Sequence, residues 1–527
     1  MFVIRAGVND TLVFSSLTYQ KKKVPAQLLL LNGQVELQPA ERLIQEVTIV
    51  AQDERAYQLL AKSRKAMIKT TERKSKAYYA LSTQVSAQPV EMLECYYTAS
   101  LDENRVSELV FKNGRVALAP RNNGYFVSLD ISRAFSLLNL LYPTARMPVN
   151  PFQLALKPLR KHFTAKFEES YDSLHPVQVV SFRSVDERNG FSGRAHILTT
   201  NNLPLKIELE IKDAALHPFK PLFSSAQILG AAMRLTKVYE YRNDSLFTHH
   251  IDFDYDLNYA DESEQRQITS SGLLYFYDYH QPFLPVLFQN SSESSDYKKI
   301  SSLSYNEEFW NDNHVLAPSS AIRSHLRYLQ ANGISLNYKE ALKVSAGPEK
   351  REYMEINDVL WSADKRLSIS GDHIHNDTSA SAKSANGTTF LADRYYFNAS
   401  VYVDANPVGD SLQHFSASVF NIEESYYNLQ TDMFTDCVLN IYFDLVEIER
   451  RKMEEEIARD PNSWQHIQEC YKKAAENIEV VGLKYFREVQ RGRNAGKLKT
   501  WNKLVETQLG INNIEIFKLS TVIEYGN

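Results

Sequence analysis

The chain has 527 residues, 43% apolar and 23% charged, an ordinary globular composition several times the size of one domain. A formal net charge of -5 gives no basic footprint, which excludes nucleic acid as a partner suggested by charge; runs such as Lys21-Lys22-Lys23 and Glu454-Glu455-Glu456 read as solvated faces. Three scattered cysteines, Cys95, Cys437 and Cys470, exclude a disulfide framework or a cysteine-based zinc site, and no apolar run reaches the roughly 18 residues of a transmembrane helix.

Residues 2–4, 12–15 and 28–31 read as strands, and Asn32-Gly33 after the last of them is a hairpin signal, because a two-residue turn needs positive φ. The start carries neither a basic n-region nor an apolar h-region, so no signal peptide is read in the given chain. A strand at 46–50 precedes a change of period over 53–71, where Tyr57, Leu60, Ala61, Met67 and Ile68 line one helical face.

Alternation then resumes in Tyr79, Leu81, Thr83 and Val85 and in Leu93, Cys95 and Tyr97, with a second hairpin signal at Asn113-Gly114. Leu205, Ile207, Leu209 and Ile211 alternate cleanly, and a second helix is predicted near 222–234. In the strand Phe247, His249, Ile251, Phe253, Tyr255, Leu257, strict alternation sends Asp252, Asp254 and Asp256 to the face opposite His249, which argues against a metal site at His249-His250.

The polar tract 290–296 is the clearest linker, followed by a short helix at 321–330. Strands are expected at 353–361, 366–370, 395–403 and 415–420. The last hundred residues read as helices over 432–458 and 463–490, broken at Asp460-Pro461-Asn462 where proline removes a backbone donor. The fold class is therefore multidomain α+β: a partial β-sandwich at 1–50, a helix-plus-antiparallel-sheet domain of half-barrel layout at 51–289, a linker with a short helix at 290–345, and an α+β domain ending in a helical hairpin at 346–527.

Two resemblances follow. The stretch from Asp10 through Leu12, Val13, Phe14 and Ser15 to Tyr19, with Val35-Glu36-Leu37 and 46–50, resembles the second half of the carboxypeptidase-regulatory-like domain, a transthyretin-like sandwich of Bacteroidetes cell-envelope proteins. In that family an Asp-Gly-x-Phe-x-Ile pattern precedes these strands and Met1-Phe2-Val3-Ile4 fits its end, so the resemblance implies an internal Met1, with the remaining strands and an export signal upstream. A half-sandwich leaves an unpaired edge, which points the same way. The 46–289 region is similar in layout to lipoprotein carriers, an analogy of element order alone; its aromatic faces fit either a lipid-holding concavity or simple core.

The second resemblance is to a secreted zincin-like family, carried by Asp358-Val-Leu-Trp361-Ser362, Arg366-Leu367-Ser368, 395–403 and Tyr442-Phe443-Asp444-Leu445-Val446-Glu447. Active members read His-Glu-x-x-His-Phe-Asp, where two imidazoles at i and i+4 hold zinc and the glutamate serves as general base. Here those positions are Val438, Leu439 and Tyr442, which supply no such ligand or base.

The expectation is a non-catalytic, pseudo-enzyme type of envelope protein, periplasmic or outer-membrane associated, that binds or scaffolds an envelope protein, glycan or lipid partner and takes no cofactor. The alternatives are a metal-dependent hydrolase using His373 and His375, or His414, and a lipid carrier. Neither a Gly-x-Ser-x-Gly elbow nor a phosphate-cradling glycine loop occurs, so nucleophilic catalysis and nucleotide binding lack a motif.

Overall fold

The computed structural model describes residues 10–16, 19–27, 35–36, 38, 49–68, 71–121, 124–125, 135–171, 176–219, 226–242, 245–260, 265–288, 296–301, 306–313, 315–316, 320–338, 358–371, 374, 394–409 and 411–525. The fold is α+β, and the chain divides into two compact units, Met1–Phe283 with Asn313–Ser345, and Leu284–Asp312 with Ala346–Asn527.

Unit 1 opens with a two-stranded antiparallel ladder, β1 (Thr11–Ser16) and β2 (Tyr19–Pro25). The helix α1 (Ile49–Met67) follows, so positions 49 and 50 are helical where the sequence suggested a strand; the predicted hairpin at Asn32-Gly33 lies outside the described residues. Ala56, Leu59, Leu60, Ser63 and Met67 are its buried positions, the i, i+3, i+4, i+7 spacing of a single apolar stripe.

The strands β3 (Arg73–Val85), β4 (Gln88–Leu101) and β5 (Val106–Leu118) form a meander. Asn113-Gly114 does not turn the chain as expected: both pair across to Tyr96 and Cys95, and the sequence is absorbed by a register shift that leaves Lys112 as the extra residue of a bulge. The reversal falls instead at Asp102, whose Oδ1 accepts from the backbone of Asn104 at 2.6 Å and Arg105 at 2.9 Å, a side-chain-made turn. Two short strands, β6 (Pro120–Arg121) and β7 (Gly124–Tyr125), pair with each other, and a short helix α2 (Leu156–His162) runs directly into the next meander.

That meander comprises β8 (Phe163–Tyr171), β9 (Val177–Ser184), β10 (Ser192–Leu198), β11 (Pro204–Ile211), β12 (Gln227–Arg242), β13 (Ser245–Ala260) and β14 (Gln265–Tyr277). β14 pairs with β3, joining the two meanders into one open antiparallel sheet of eleven strands that runs from β8 at one edge to a short strand at 334–336 at the other. The helix predicted near 222–234 is replaced over 227–234 by strand. Gly230-Ala231-Ala232 looks helical by composition, but pairing with β11 and β13 buries Ala231, Met233 and Leu235 at period two, and tertiary pairing overrides propensity.

One face of this sheet is packed. Tyr57 of α1 donates its hydroxyl to the Phe163 carbonyl at 3.0 Å, and Asn104 donates to the Met67 carbonyl at 2.8 Å, pinning the helix at its middle and its C-terminal end. Phe135 lies edge-on to Tyr79 and Phe253 with centroids at 5.5 and 5.9 Å, and Phe219 covers Tyr255 at 4.6 Å. Gly272 makes this packing possible, because a Cβ there would stand 2.4 Å from the Tyr79 hydroxyl. Gly272→Ala is expected to cost about 1–3 kcal/mol of stability, with much of it recovered in the Tyr79→Phe background, measured by urea unfolding; an additive pair of losses would refute the contact.

Between the units' second-domain segments the chain carries α3 (Asp296–Ser301) and α4 (Glu307–Asp312) of unit 2, then returns to unit 1 as α5 (Ser320–Asn332) and β15 (Ile334–Leu336). β15 pairs with β5 as the edge of the sheet, and α5 packs on the other face of β4 and β5, where Glu94 accepts from Tyr78 at 2.6 Å, Arg115 donates to it at 2.6 Å, and Leu329 and Tyr338 pack on Met92 and Ala117.

Unit 2 contains the three-stranded antiparallel sheet β16 (Asp358–Leu360), β18 (Ser411–Tyr427) and β17 (Tyr395–Val408), in that order. Leu287 forms a reciprocal backbone pair with Val403, each nitrogen 2.9 Å from the other residue's carbonyl, on β17. The helices α6 (Thr435–Ile457) and α7 (Trp464–Val489) form the expected hairpin across Pro461, and α7 is capped by Ser463, which accepts from the His466 nitrogen at 3.2 Å. Sequence reading missed the separate helix α8 (Ala495–Leu509), which Asn494 caps at one end and Gly510, at φ 74°, closes at the other. The short helices α9 (Asn513–Ile516) and α10 (Ser520–Tyr525) end the described chain.

Candidate functional site

The helix α6 is the natural candidate, because the residues that carry the zincin resemblance converge on it. Asp444 is fully buried and accepts four side-chain contacts: Arg366 Nη1 at 2.8 and 3.0 Å, Trp361 Nε1 at 2.7 Å and Asn513 Nδ2 at 2.6 Å. Trp361, Arg366 and Asp444, scattered over 84 positions of sequence, thus meet at one carboxylate.

The same helical stripe, at four-residue spacing, carries Asp436 and Asn440. Asn440 pairs with both backbone groups of Leu367 at 2.8 and 2.7 Å, and Asp436 accepts from the Ile369 nitrogen at 2.9 Å and Ser368 Oγ at 3.0 Å. These contacts correct the strand expected at 366–370. The segment joins no ladder and runs into a turn at 369–371; side chains of α6 satisfy both backbone groups of Leu367 and the Ile369 N–H in place of a neighbouring strand.

One turn further, Glu447 accepts from Ser418 Oγ at 2.9 Å, from Arg450 and from Arg451. Burial would raise its carboxyl, but the hydrogen bonds from the two arginines prevail and hold it below the usual carboxylate range. Each of these carboxylates is held by hydrogen-bond donors from neighbouring segments, which suits anchoring.

Val438, Leu439 and Tyr442 face the core. They are 4%, 0% and 3% exposed; Tyr442 packs on Phe486 with centroids at 4.8 Å, and the Val438 carbonyl accepts from the buried Tyr485 hydroxyl at 2.9 Å. Neighbouring Cys437 has its thiol pushed up to about 12 by burial and by Asp444, the opposite of an activated nucleophile.

His414 sits on β18, where its Nε2 is 2.8 Å from a Glu454 carboxylate oxygen. His373 and His375 lie outside the described residues; Ile374 between them is buried. Among the described residues no three His, Cys, Asp or Glu side chains converge as metal donors.

In unit 1 the packed face is occupied by α1, Phe135, Leu138, Leu140, Leu141, Phe152 and Phe219, all buried. A groove of about 310 Å³ lies over β11 to β13, bordered by Glu210, Lys212, Arg234, Asp254 and Asp256, a charged lining of both signs. Asp254 and Asp256 are also held by Ser271 at 2.6 Å and Thr269 at 2.7 Å.

The alternation expected along β13 fails at one place. Val238 pairs with His250 but Tyr239 pairs with Thr248, so His249 is the extra residue of a bulge, and its ring turns back against His250, with centroids at 4.9 Å. His249 therefore does not stand apart from the aspartate face; the periodicity carried no sign of this, because a bulge inserts one residue without altering composition.

No family model matches the sequence, and no curated protein matches it. Among solved structures, MucB is similar at 9% identity and TM-score 0.18, over 41% of this chain and 92% of that one. A LolA superfamily protein from Nitrosomonas europaea is similar at 11% identity and TM-score 0.17, over 44% and 94%. Lipovitellin is similar at 10% identity and TM-score 0.18, over 49% and 36%. Likeness of this size bears no functional argument. No described helix is long and apolar enough to cross a membrane.

Proposed function

We propose that the protein is a non-catalytic binding or scaffold protein of the bacterial cell envelope, in which unit 2 is a zincin-like scaffold whose ligand positions have become core. The observation that supports this reading is the burial of Val438, Leu439 and Tyr442 in the aromatic cluster of unit 2. A zincin needs imidazole nitrogens about 2.0–2.1 Å from an ion with an open coordination position, and an isopropyl group and a phenol packed on Phe486 provide neither. Meanwhile Asp444, the aspartate of the Phe-Asp pair, is committed to Trp361, Arg366 and Asn513, so the part of the motif that remains has a packing role.

The envelope assignment rests on the carboxypeptidase-regulatory-like resemblance of the first fifty residues. The lipid-carrier alternative has less support, because buried aromatic side chains of the chain itself occupy the described part of the packed face in unit 1. A partner protein or glycan is the ligand class this reading favours.

If unit 2 needs no metal, its thermal unfolding is unchanged by a strong chelator and by added zinc, followed by calorimetry on the full chain. A large chelator-induced fall in Tm would overturn the reading.

A further inference from the structure

The bulge in β13 brings two imidazoles together on the face of unit 1 that also carries Asp252. The Nδ1 atoms of His249 and His250 are 2.6 Å apart, and Nε2 of His250 is 3.6 Å from Oδ2 of Asp252. Two ring nitrogens with lone pairs directed at each other repel unless a proton or a cation lies between them. Both side chains are partly exposed, so an ion from solvent reaches them. The adjacent cations are occupied: Lys206 pairs with Glu208 at 2.5 Å, and Arg242 pairs with Glu240.

We propose that His249 and His250 form a two-nitrogen site for a divalent transition-metal ion of the Cu(II) or Ni(II) kind, bound through both Nδ1 atoms, with Asp252 behind His250 and water completing the coordination. The geometry selects the kind of ion. Metal–nitrogen bonds of about 2.0–2.1 Å place two ligands at a right angle roughly 2.9 Å apart and at a tetrahedral angle roughly 3.4 Å apart. The observed pair needs to open by a few tenths of an ångström for the first and by much more for the second. Tetragonal Cu(II) and Ni(II) therefore fit better than tetrahedral Zn(II), and Cu(II) also heads the affinity order for nitrogen donors. Asp252, with Oδ2 3.6 Å from Nε2 of His250, adds a negative charge beside the pair that favours a bound cation. Opposite His250 across the ladder is Val238, so the ion has no competing donor from β12 at that register.

This site is separate from α6 and does not depend on the binding reading. The test is calorimetric titration of the chelator-stripped full chain with Cu(II), compared with His249→Gln, His250→Gln and Asp252→Asn, each checked by circular dichroism. The expected result is one tight equivalent per chain, weakened about tenfold or more by either histidine variant and severalfold by Asp252→Asn. An electron paramagnetic resonance spectrum of the wild-type complex is expected to show two equatorial imidazole nitrogens, a readout that needs no variant. Unaltered Cu(II) affinity in the histidine variants, or a spectrum without imidazole nitrogen, would overturn the proposal.

Discussion

Asp444→Ala is expected to destabilise the protein by about 3–5 kcal/mol, the usual consequence of removing one partner from a buried ion pair. The carboxylate is completely buried, and its loss strands Trp361 Nε1, Asn513 Nδ2 and the Arg366 guanidinium together. Among the described residues Arg366 retains as hydrogen-bond partners the carbonyls of Ser362, at 2.6 Å, and Ala363, at 3.2 Å, which satisfy donors without neutralising charge. Asp444→Asn keeps the shape and loses the charge, so a smaller but still large loss is expected. Arg366→Met combined with Asp444→Leu is expected to cost less than the sum of the single changes, since the double variant leaves no unpaired charge. Urea unfolding of the four proteins checks this, and additive losses would contradict the pairing.

The second large effect has the opposite sign. Lys237 lies on the packed face of β12, fully buried, and among the described residues its ammonium has no hydrogen-bond partner, only the Tyr239 ring at 5.3 Å. Desolvation brings its pKa down to about 8, against the upward pull of Asp102 and Glu103. A lysine whose folded pKa lies below its unfolded value binds fewer protons folded than unfolded between those two values. Stability then rises with pH from about 8 to about 10.5, and below that window the charged group carries a penalty of roughly 3 kcal/mol. Lys237→Met, which keeps length and removes the charge, is expected to stabilise the protein by up to that amount at pH 7. The advantage is expected to shrink as pH rises past 8, as the wild-type amine loses its proton. Comparing wild type with variant isolates this group from the tyrosines, whose own titrations occur in both. A gain that stays constant from pH 7 to 10 would contradict the assignment.

The parts of the fold that the sequence made legible were those where local pattern and tertiary burial agree. The α6–α7 hairpin was readable because long apolar stripes flank a proline-centred break, and β13 because its apolar residues alternate over most of its length. Reading failed where pairing overrode propensity, as at Gly230-Ala231-Ala232, and where a bulge absorbed a turn-forming pair, as at Asn113-Gly114. The segment 366–370 read as a strand, with Leu367 and Ile369 alternating, but periodicity cannot show that Asp436 and Asn440 on a helix supply its hydrogen bonds. At the candidate site, the absence of imidazoles at 438 and 442 was plain from sequence. The role of Asp444 was hidden, because its partners Trp361, Arg366 and Asn513 are 69 or more residues away along the chain.

The most direct test of the central claim is the zinc content of the full chain with His249→Gln and His250→Gln, purified without added metal and dialysed against a strong chelator. Those two substitutions remove the separate two-nitrogen site from the reading. Folded protein with far less than one zinc per chain is expected. Zinc retained at one equivalent per chain would contradict it, because a chelator-resistant ion needs a set of ligands that the buried Val438, Leu439 and Tyr442 do not provide.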